Sequence, residues 1–579
     1  MTRPRYLAIL RGRDPFGKTR AMAARAVQLS GLKVIVKSPG LLLLAQNCPA
    51  FSYGPNAGAL LGTIFPKSSR ERASGIPRDK TAQALTQKGL IDAYWGDYVA
   101  FVSDQERGRM SVIRAPFGNL PCYYRDVDGS AVLASDLDLL TACSGEEPKC
   151  DWEMLGYFLA MSELRHERTC IAGVHELLGG TVMTAGEDHV HITCCWSPWT
   201  YGLSAHDHEI TRERTAQLRE TADRCIRAVT GQYGHVLAML SGGLDSSIMV
   251  NCLGRSGARL SCLTLVTEDP LGDERAFARL AAKAADAPLV EAMRRLEDVD
   301  IQRSAASHLP RPVARAFAQA SSRLACEVAA QTGAQAIFDG GGGDNLFCSL
   351  QSVAPVADRL LTSGPGVRAW SSACDMARLA QTSVWTVARR AMRRAWFPER
   401  AVPWRGDPRF LRSETVALAE RLLGHRWLDV PGRALPGKTA HIALLAAAEN
   451  QWEVPYGALP AHAPLMAQPL VELCLSIPSW CWCRDGRNRA VARIAFAGRV
   501  PQRVLDRRLK GTPAGFMAAL FTLHRSTIRD MLLGGALVAK GLVDSGRLET
   551  ALAGEAPFKG HDYVRIMRMV DVEAWARGV

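Results

Sequence analysis

The stretch HVLAMLSGGLDSSIMV, from His235 to Val250, narrows most sharply what this chain can fold into. Val236 to Leu240 are consecutive apolar residues and read as a buried strand of a parallel sheet. The run breaks at Ser241-Gly242-Gly243-Leu244-Asp245-Ser246-Ser247, after which Ile248, Met249, Val250, Cys252 and Leu253 supply the apolar face of a helix. A strand, a turn of small residues and a helix start together form an anion site. Backbone N–H groups point outward there, and the helix dipole favours negative charge. Two glycines let the backbone approach a phosphate, and the serine hydroxyls add donors. Asp245 would repel a bare phosphate. It fits the site when a Mg²⁺ ion lies between them.

The string is not a Walker A loop, which ends a longer glycine loop in Lys-Ser/Thr. SGGLDSS resembles the PP-loop of ATP pyrophosphatases, enzymes that split ATP between the α and β phosphates. The resemblance implies that Ser241, Gly242, Gly243, Leu244, Asp245, Ser246 and Ser247 hold the pyrophosphate of ATP.

The 579 residues suffice for two to four domains, and 47% of them are hydrophobic, so sizeable cores can form. Seventy Lys+Arg against 57 Asp+Glu give a formal charge of +13, which suits acidic partners such as ATP or an acidic peptide. The 16 cysteines are scattered; Cys194-Cys195 and Cys481-Trp482-Cys483 are the close pairs, and neither has zinc-site spacing. Most read as reduced core residues, which points to a cytoplasmic protein. The opening MTRPRYLAIL is too short an apolar run for a signal peptide. No stretch approaches the ~20 apolar residues of a membrane span, so no membrane partner is expected. The basic charge and the basic residues among aromatics would also fit RNA, but no nucleic acid is expected as a partner.

Residues 1 to about 203 have the texture of a β-rich domain. Tyr6 to Leu10, Leu32 to Val36, Trp95 to Val102, Ser111 to Arg114 and Ala131 to Ala134 are candidate strands. Gly96-Asp97, Arg114, Phe117-Gly118, Pro121, Tyr123-Tyr124 and Ala134-Ser135-Asp136 follow in order, then Gly173 to Leu177 and Trp196-Ser197-Pro198. These resemble the N-terminal glutaminase domain of class B asparagine synthetases, an Ntn-hydrolase-like β-sandwich layer. Glutamine-using members begin with a catalytic cysteine. Here residue 2 is Thr2 and the first cysteine is Cys48, so the domain is expected to be an inactive scaffold.

Residues 204–579 read as the second domain, an α/β parallel sheet with helical additions. Ser204 to Gly231 carries helical periodicity, Leu260 to Val266 is a second apolar strand, and Ala336 to Phe338 is a third. The third ends in Asp339-Gly340-Gly341-Gly342-Gly343-Asp344-Asn345, four glycines that place bare backbone beside a ligand. The string aligns with Ser-Gly-Glu-Gly-Ala-Asp-Glu of asparagine synthetases. That resemblance implies nucleotide contacts at Leu263, Thr264, Leu265, Asp339, Gly340 and Gly341, and a Mg²⁺ site at Asp245 and Asp344. The family glutamate, which in relatives helps activate or orient the amine, falls on Gly341. Asp273 and Glu274 are read either as helix N-terminal charge or as ligands.

Residues 351–440 carry Arg389, Arg390, Arg393, Arg394, Arg400, Arg405, Arg409 and Arg412 among Trp385, Trp396 and Trp404. They read as a solvated basic helix with a Pro-rich loop, or as a wall or lid for an acidic peptide. In the tail, Pro464 to Met466 and Pro469 to Leu473 resemble the synthetase stretch behind the nucleotide. Arg489, Arg493, Pro501 and Arg507-Arg508-Leu509-Lys510-Gly511 resemble the pattern ending in the catalytic lysine. The resemblance makes Lys510, with Asp245 and Asp344, the catalytic set.

The resemblance implies one reaction shape: a carboxylate attacks the α-phosphorus of ATP, pyrophosphate leaves, and an amine converts the acyl adenylate into an amide with release of AMP. GGGGDN, the basic-aromatic insert and the basic charge resemble lasso peptide cyclases. In that family an Asp or Glu side chain of a precursor peptide is adenylated, and the peptide's own N-terminal amine closes a macrolactam. That implies ATP and Mg²⁺ as cofactors, the precursor peptide as substrate and a leader peptidase as partner. The alternatives are a small-molecule amide ligase and a non-catalytic scaffold with a degenerate ATP site.

Overall fold

The computed structural model describes residues 4–10, 22, 27–28, 31–38, 40–52, 58–68, 87–104, 109–127, 129–186, 190–203, 209–267, 272–397, 404–432, 434–449, 459–508, 511, 514–553 and 562–579. Thr2, Arg400, Leu509 and Lys510, all singled out in the sequence, lie outside these residues.

The N-terminal part is two six-stranded antiparallel sheets laid face to face. One is built on Arg5–Leu10, Leu41–Gln46 and Ser130–Ala134; the other on Gly58–Pro66, Tyr94–Asp104 and Arg109–Arg114. Successive side chains point to opposite faces. Tyr6, Ala8, Leu10, Leu41 and Leu43 therefore meet Leu61, Val99, Phe101 and Val112 between the sheets. Tyr6 stands edge-on to Phe101 with ring centroids 6.3 Å apart. Leu7, Ile9, Leu42 and Leu44 face the other way and join the core that runs into the rest of the chain. The five expected strands are present within a few residues of the bounds read from the sequence. Leu41–Gln46 and Gly58–Pro66 are among the further strands of the two sheets. Both their faces are buried, so they show no alternation in the sequence.

The second part is organised on a five-stranded parallel sheet, in the order Leu289–Met293, Arg259–Val266, His235–Met239, Ala336–Phe338, Ala461–His462. The chain adds two strands on one side of His235–Met239 and then crosses to the other side. That reversal opens a crevice at the carboxyl ends of His235–Met239 and Ala336–Phe338, where ligands of open α/β sheets bind. The connecting helix begins at Arg212, later than its periodicity suggests, because Thr211 caps it by accepting from Arg214 N. Residues 351–440 are mostly helical, with helices at Ala354–Ser363, Val367–Ala380, Val384–Trp396 and Ser413–Arg421.

The two parts are fastened by buried polar contacts. Glu176 lies among three arginines: Arg114 and Arg165 from its own domain and Arg311 from the other. Burial pushes its pKa up, but the charges of Arg165, Arg311 and Arg114 outweigh burial and hold it well below the usual carboxylate range. Glu472 receives Lys67, Trp196 Nε1 and Tyr201 Oη across the same boundary. Asn119 Nδ2 donates to Ala461 O at 2.7 Å, on the outermost strand of the parallel sheet.

Glu176→Gln leaves three buried guanidinium groups without their counter-charge and should destabilise the protein by about 3–5 kcal/mol in equilibrium unfolding. Because the folded-state pKa is depressed, the contribution is complete above the ordinary carboxylate value of about 4.3 and is lost as pH falls toward the folded value. The gap between wild type and variant should therefore close on acidification.

Candidate active site

A cavity of about 500 Å³ fills the crevice between the two strand ends. One wall is the turn after His235–Met239, contributing Ser241, Gly243, Asp245 and Ser246; the other is the loop Asp339 to Asn345. Of the residues singled out in the sequence, Leu263, Leu265, Gly340, Gly341 and Asp344 also line it. Gly242, Leu244, Ser247 and Thr264 do not. Thr264 is buried on the opposite face of its strand from Leu263 and Leu265. Gly242 has φ 66°, and a Cβ there would stand 2.5 Å from Ala278 N. Its missing side chain serves the packing of the Arg275–Ala284 helix, in place of the phosphate approach read from the sequence. The Ser247 hydroxyl is buried and meets no hydrogen-bond partner among the described residues.

The turn is held by its own groups. Gly243 N and Ser246 Oγ both lie within bonding distance of Ser241 Oγ, at 3.3 and 3.1 Å. The helix Leu244–Gly254 starts directly after it, with Asp245 in its first turn. The facing loop comes equally close. A Cβ on Gly340 would stand 3.0 Å from Ser246 Cα, and one on Gly343 would stand 2.5 Å from Asp245 Cβ. Only glycine permits this approach, and it sets the carboxylates of Asp245 and Asp344 side by side.

Arg489 occupies the space between them. Its Nη1 donates to Asp245 Oδ2 at 2.9 Å and to Asp344 Oδ1 at 2.5 Å. Arg489 has φ 54°, a left-handed conformation that costs a non-glycine residue about 1–3 kcal/mol. The surroundings enforce it. Arg493 donates to Asn488 O and to Leu505 O, tying the turn before Arg489 to the chain beyond. Two carboxylates converge there on one cationic nitrogen. Mg²⁺ commonly takes one or two protein carboxylates and completes its shell with phosphate and water. Asp245 and Asp344 fit that requirement.

The pair Asp273 and Glu274, ambiguous in the sequence, separates here. Asp273 accepts from Arg275 N and pairs with the Arg275 side chain at the helix start. Glu274 lines the cavity, accepts from Gly511 N at 3.0 Å and pairs with Arg507 at 2.7 Å. Arg507 also stacks on Phe277. Gly511 reaches the cavity directly after Lys510, the expected catalytic lysine. Arg294, which sequence reasoning missed, lines the same cavity with its guanidinium over Phe516. Its Nε is buried without a hydrogen-bond partner among the described residues. Only its position after a short strand could have flagged it.

Asp339 takes up the room that Gly341 leaves. Its Oδ1 accepts from Gly341 N and would stand 2.8 Å from a Cβ on residue 341. Among the described residues, none of 351–440 lines this cavity. The helices of that segment close a small core of their own. Between the domains, a second cavity of about 420 Å³ is lined by Pro4, Cys48, Asp97, Asn119 and His462, among others. Burial, with Asp97 adding to it, pushes the Cys48 thiol up to about 12.

Residues 217–577 match the asparagine synthase family. The chain belongs to that family. Residues 82–196 match the glutamine amidotransferase domain, which makes the two-sheet layer Ntn-hydrolase-like. Family membership makes the chain an ATP-dependent amide-forming ligase that releases AMP. No curated protein matches it. Among solved structures, the allosteric regulatory enzyme of purine biosynthesis is 10% identical over 50% of this chain and 80% of its own, with a TM-score of 0.19. The glutamine phosphoribosylpyrophosphate amidotransferase from B. subtilis is 11% identical over 50% and 65%, also with a TM-score of 0.19. Scores this low decide nothing about function.

Gly343→Ala would drive a methyl group into Asp245 and part the two carboxylates. Misplacement on that scale should cut AMP release about a hundredfold. The unfolding transition checks that the variant remains folded.

Proposed function

We propose that this ligase is a lasso peptide cyclase. A side-chain carboxylate of an Asp or Glu in a precursor peptide attacks the α-phosphorus of ATP; the bond to the β-phosphate oxygen breaks and pyrophosphate leaves. The peptide's N-terminal amine then attacks the acyl carbon, AMP departs, and one proton is released as the isopeptide bond forms. The observation that carries a peptide-sized acyl group is the wall from Gly340 to Gly343, which lines the 500 Å³ cavity with backbone alone.

The turn Ser241 to Ser246 and the helix start behind it present donors to the leaving pyrophosphate, where negative charge develops. Asp245 and Asp344 would hold Mg²⁺, which when bound neutralises that leaving group. Leu263 and Leu265 offer an apolar surface to the base of ATP. The Arg294 guanidinium offers a buried donor to an anionic group in the cavity. Lys510 precedes Gly511 at the cavity edge and would supply positive charge to the tetrahedral intermediate. Asp339 brings a carboxylate beside residue 341, onto which the family glutamate falls in the resemblance, and would take the proton of the attacking amine. The substrate amine must be free, so a peptidase that removes a leader is the expected partner.

Pyrophosphate exchange into ATP should depend on a synthetic core peptide with a free N-terminus and an internal Asp or Glu, and the product should lack one water by mass. Equal exchange with free aspartate, and amide formation from ammonia, would establish the small-molecule ligase instead. Asp339→Asn should leave exchange intact but slow ring closure by about a hundredfold or more. In the Asp339→Ser/Gly341→Glu double variant, which moves the carboxylate back along the loop, part of the lost rate should return.

A further inference from the structure

The helix Val384–Trp396 is built inside out. Its inward face is Val387, Ala391 and Ala395, which seat it against the rest of the helical segment. Its outward face carries Trp385, Met392 and Trp396, spaced to lie in one stripe. Trp385 is 72% exposed, Trp396 55%, and the following Phe397 73%. On the neighbouring helix, Trp370 lies against Trp385 with ring centroids 5.1 Å apart, and Val367 is 86% exposed. Large apolar side chains in such numbers on one surface mark an interaction site.

Charge defines the partner further. From Met376 to Pro398 the chain has five arginines and no Asp or Glu. Arg389 and Arg393 are exposed beside the aromatic stripe and pair with no carboxylate among the described residues. The partner is therefore anionic and also accepts indole rings. Trp385 and Trp396 are eleven residues apart on one helix, about 16 Å along its axis. With Trp370 from the second helix they span a broad surface, and none of the cavities described above is lined by them. A lipid headgroup layer offers such a partner: indoles settle at the membrane interface, and arginines neutralise acidic phospholipids.

We infer that this face docks the enzyme peripherally on an anionic membrane surface. No described helix is long and apolar enough to cross a membrane. The expectation of no membrane partner rested on the lack of such a span, and a surface-bound helix needs none. The inference is independent of the peptide reading, because the face contributes nothing to the cavity.

The full chain should co-sediment with vesicles of phosphatidylcholine plus phosphatidylglycerol and remain in the supernatant with phosphatidylcholine alone. Bromine-labelled lipid should quench part of its tryptophan fluorescence. In Trp385→Ser/Trp396→Ser, sedimentation should fall and that quenching should disappear. Each of Arg389→Gln and Arg393→Gln should weaken partitioning about fivefold. All these variants should keep wild-type ATP–pyrophosphate exchange, which shows that the fold survives. Failure to bind acidic vesicles, or binding that the four substitutions leave unchanged, overturns the inference. So does a purified acidic peptide or protein that binds through these residues while vesicles do not.

Discussion

Gly340 and Gly343 pass so close to Ser246 and Asp245 that no side chain fits between the two loops. Everything at the site depends on that approach. It places two carboxylates from different strand ends around one guanidinium, and it leaves a wall of bare backbone facing the cavity. The sheet makes the approach possible, because the strands His235–Met239 and Ala336–Phe338 are hydrogen-bonded neighbours although nearly a hundred residues separate them. Parallel order sends both chains out at the same end of the sheet, where their loops meet.

The parts of this arrangement that could be read beforehand are those written in apolar runs and in glycine. Buried strands betray themselves as Val236 to Leu240 or Ala336 to Phe338, and a glycine row has few uses besides close approach. Other features depend on tertiary context that no local pattern carries. Gly242 looks like part of a phosphate cradle, yet its neighbour is the backbone of Ala278. Arg489 gives no sign of its left-handed backbone or of the two carboxylates that meet it. Asp273 and Glu274 are adjacent and chemically alike, but the helix start turns one toward solvent and the other into the cavity. The insert misleads because its tryptophans divide: Trp427 is fully buried, whereas Trp370, Trp385 and Trp396 stay exposed, against the usual rule.

Charge is distributed to match. The excess of arginine is distributed unevenly: some lies buried around single carboxylates, as with the three groups on Glu176, and some stands exposed with no counter-charge among the described residues. Buried arginines fix geometry, since a guanidinium forks its donors in a plane and holds its partners at set angles. Arg311 does this between domains and Arg489 does it between strand-end loops. Exposed ones act at longer range and are sensitive to ionic strength.

Asn119 reaches across from the two-sheet layer to the main-chain carbonyl of Ala461, on the last strand of the parallel sheet. A sheet that ends in a two-residue strand leaves a ragged border of amide groups, and such borders recruit foreign strands. Through Asn119 the amidotransferase-like half satisfies one carbonyl of that border. Removing this half would leave that carbonyl, and the edge it belongs to, open to other strands.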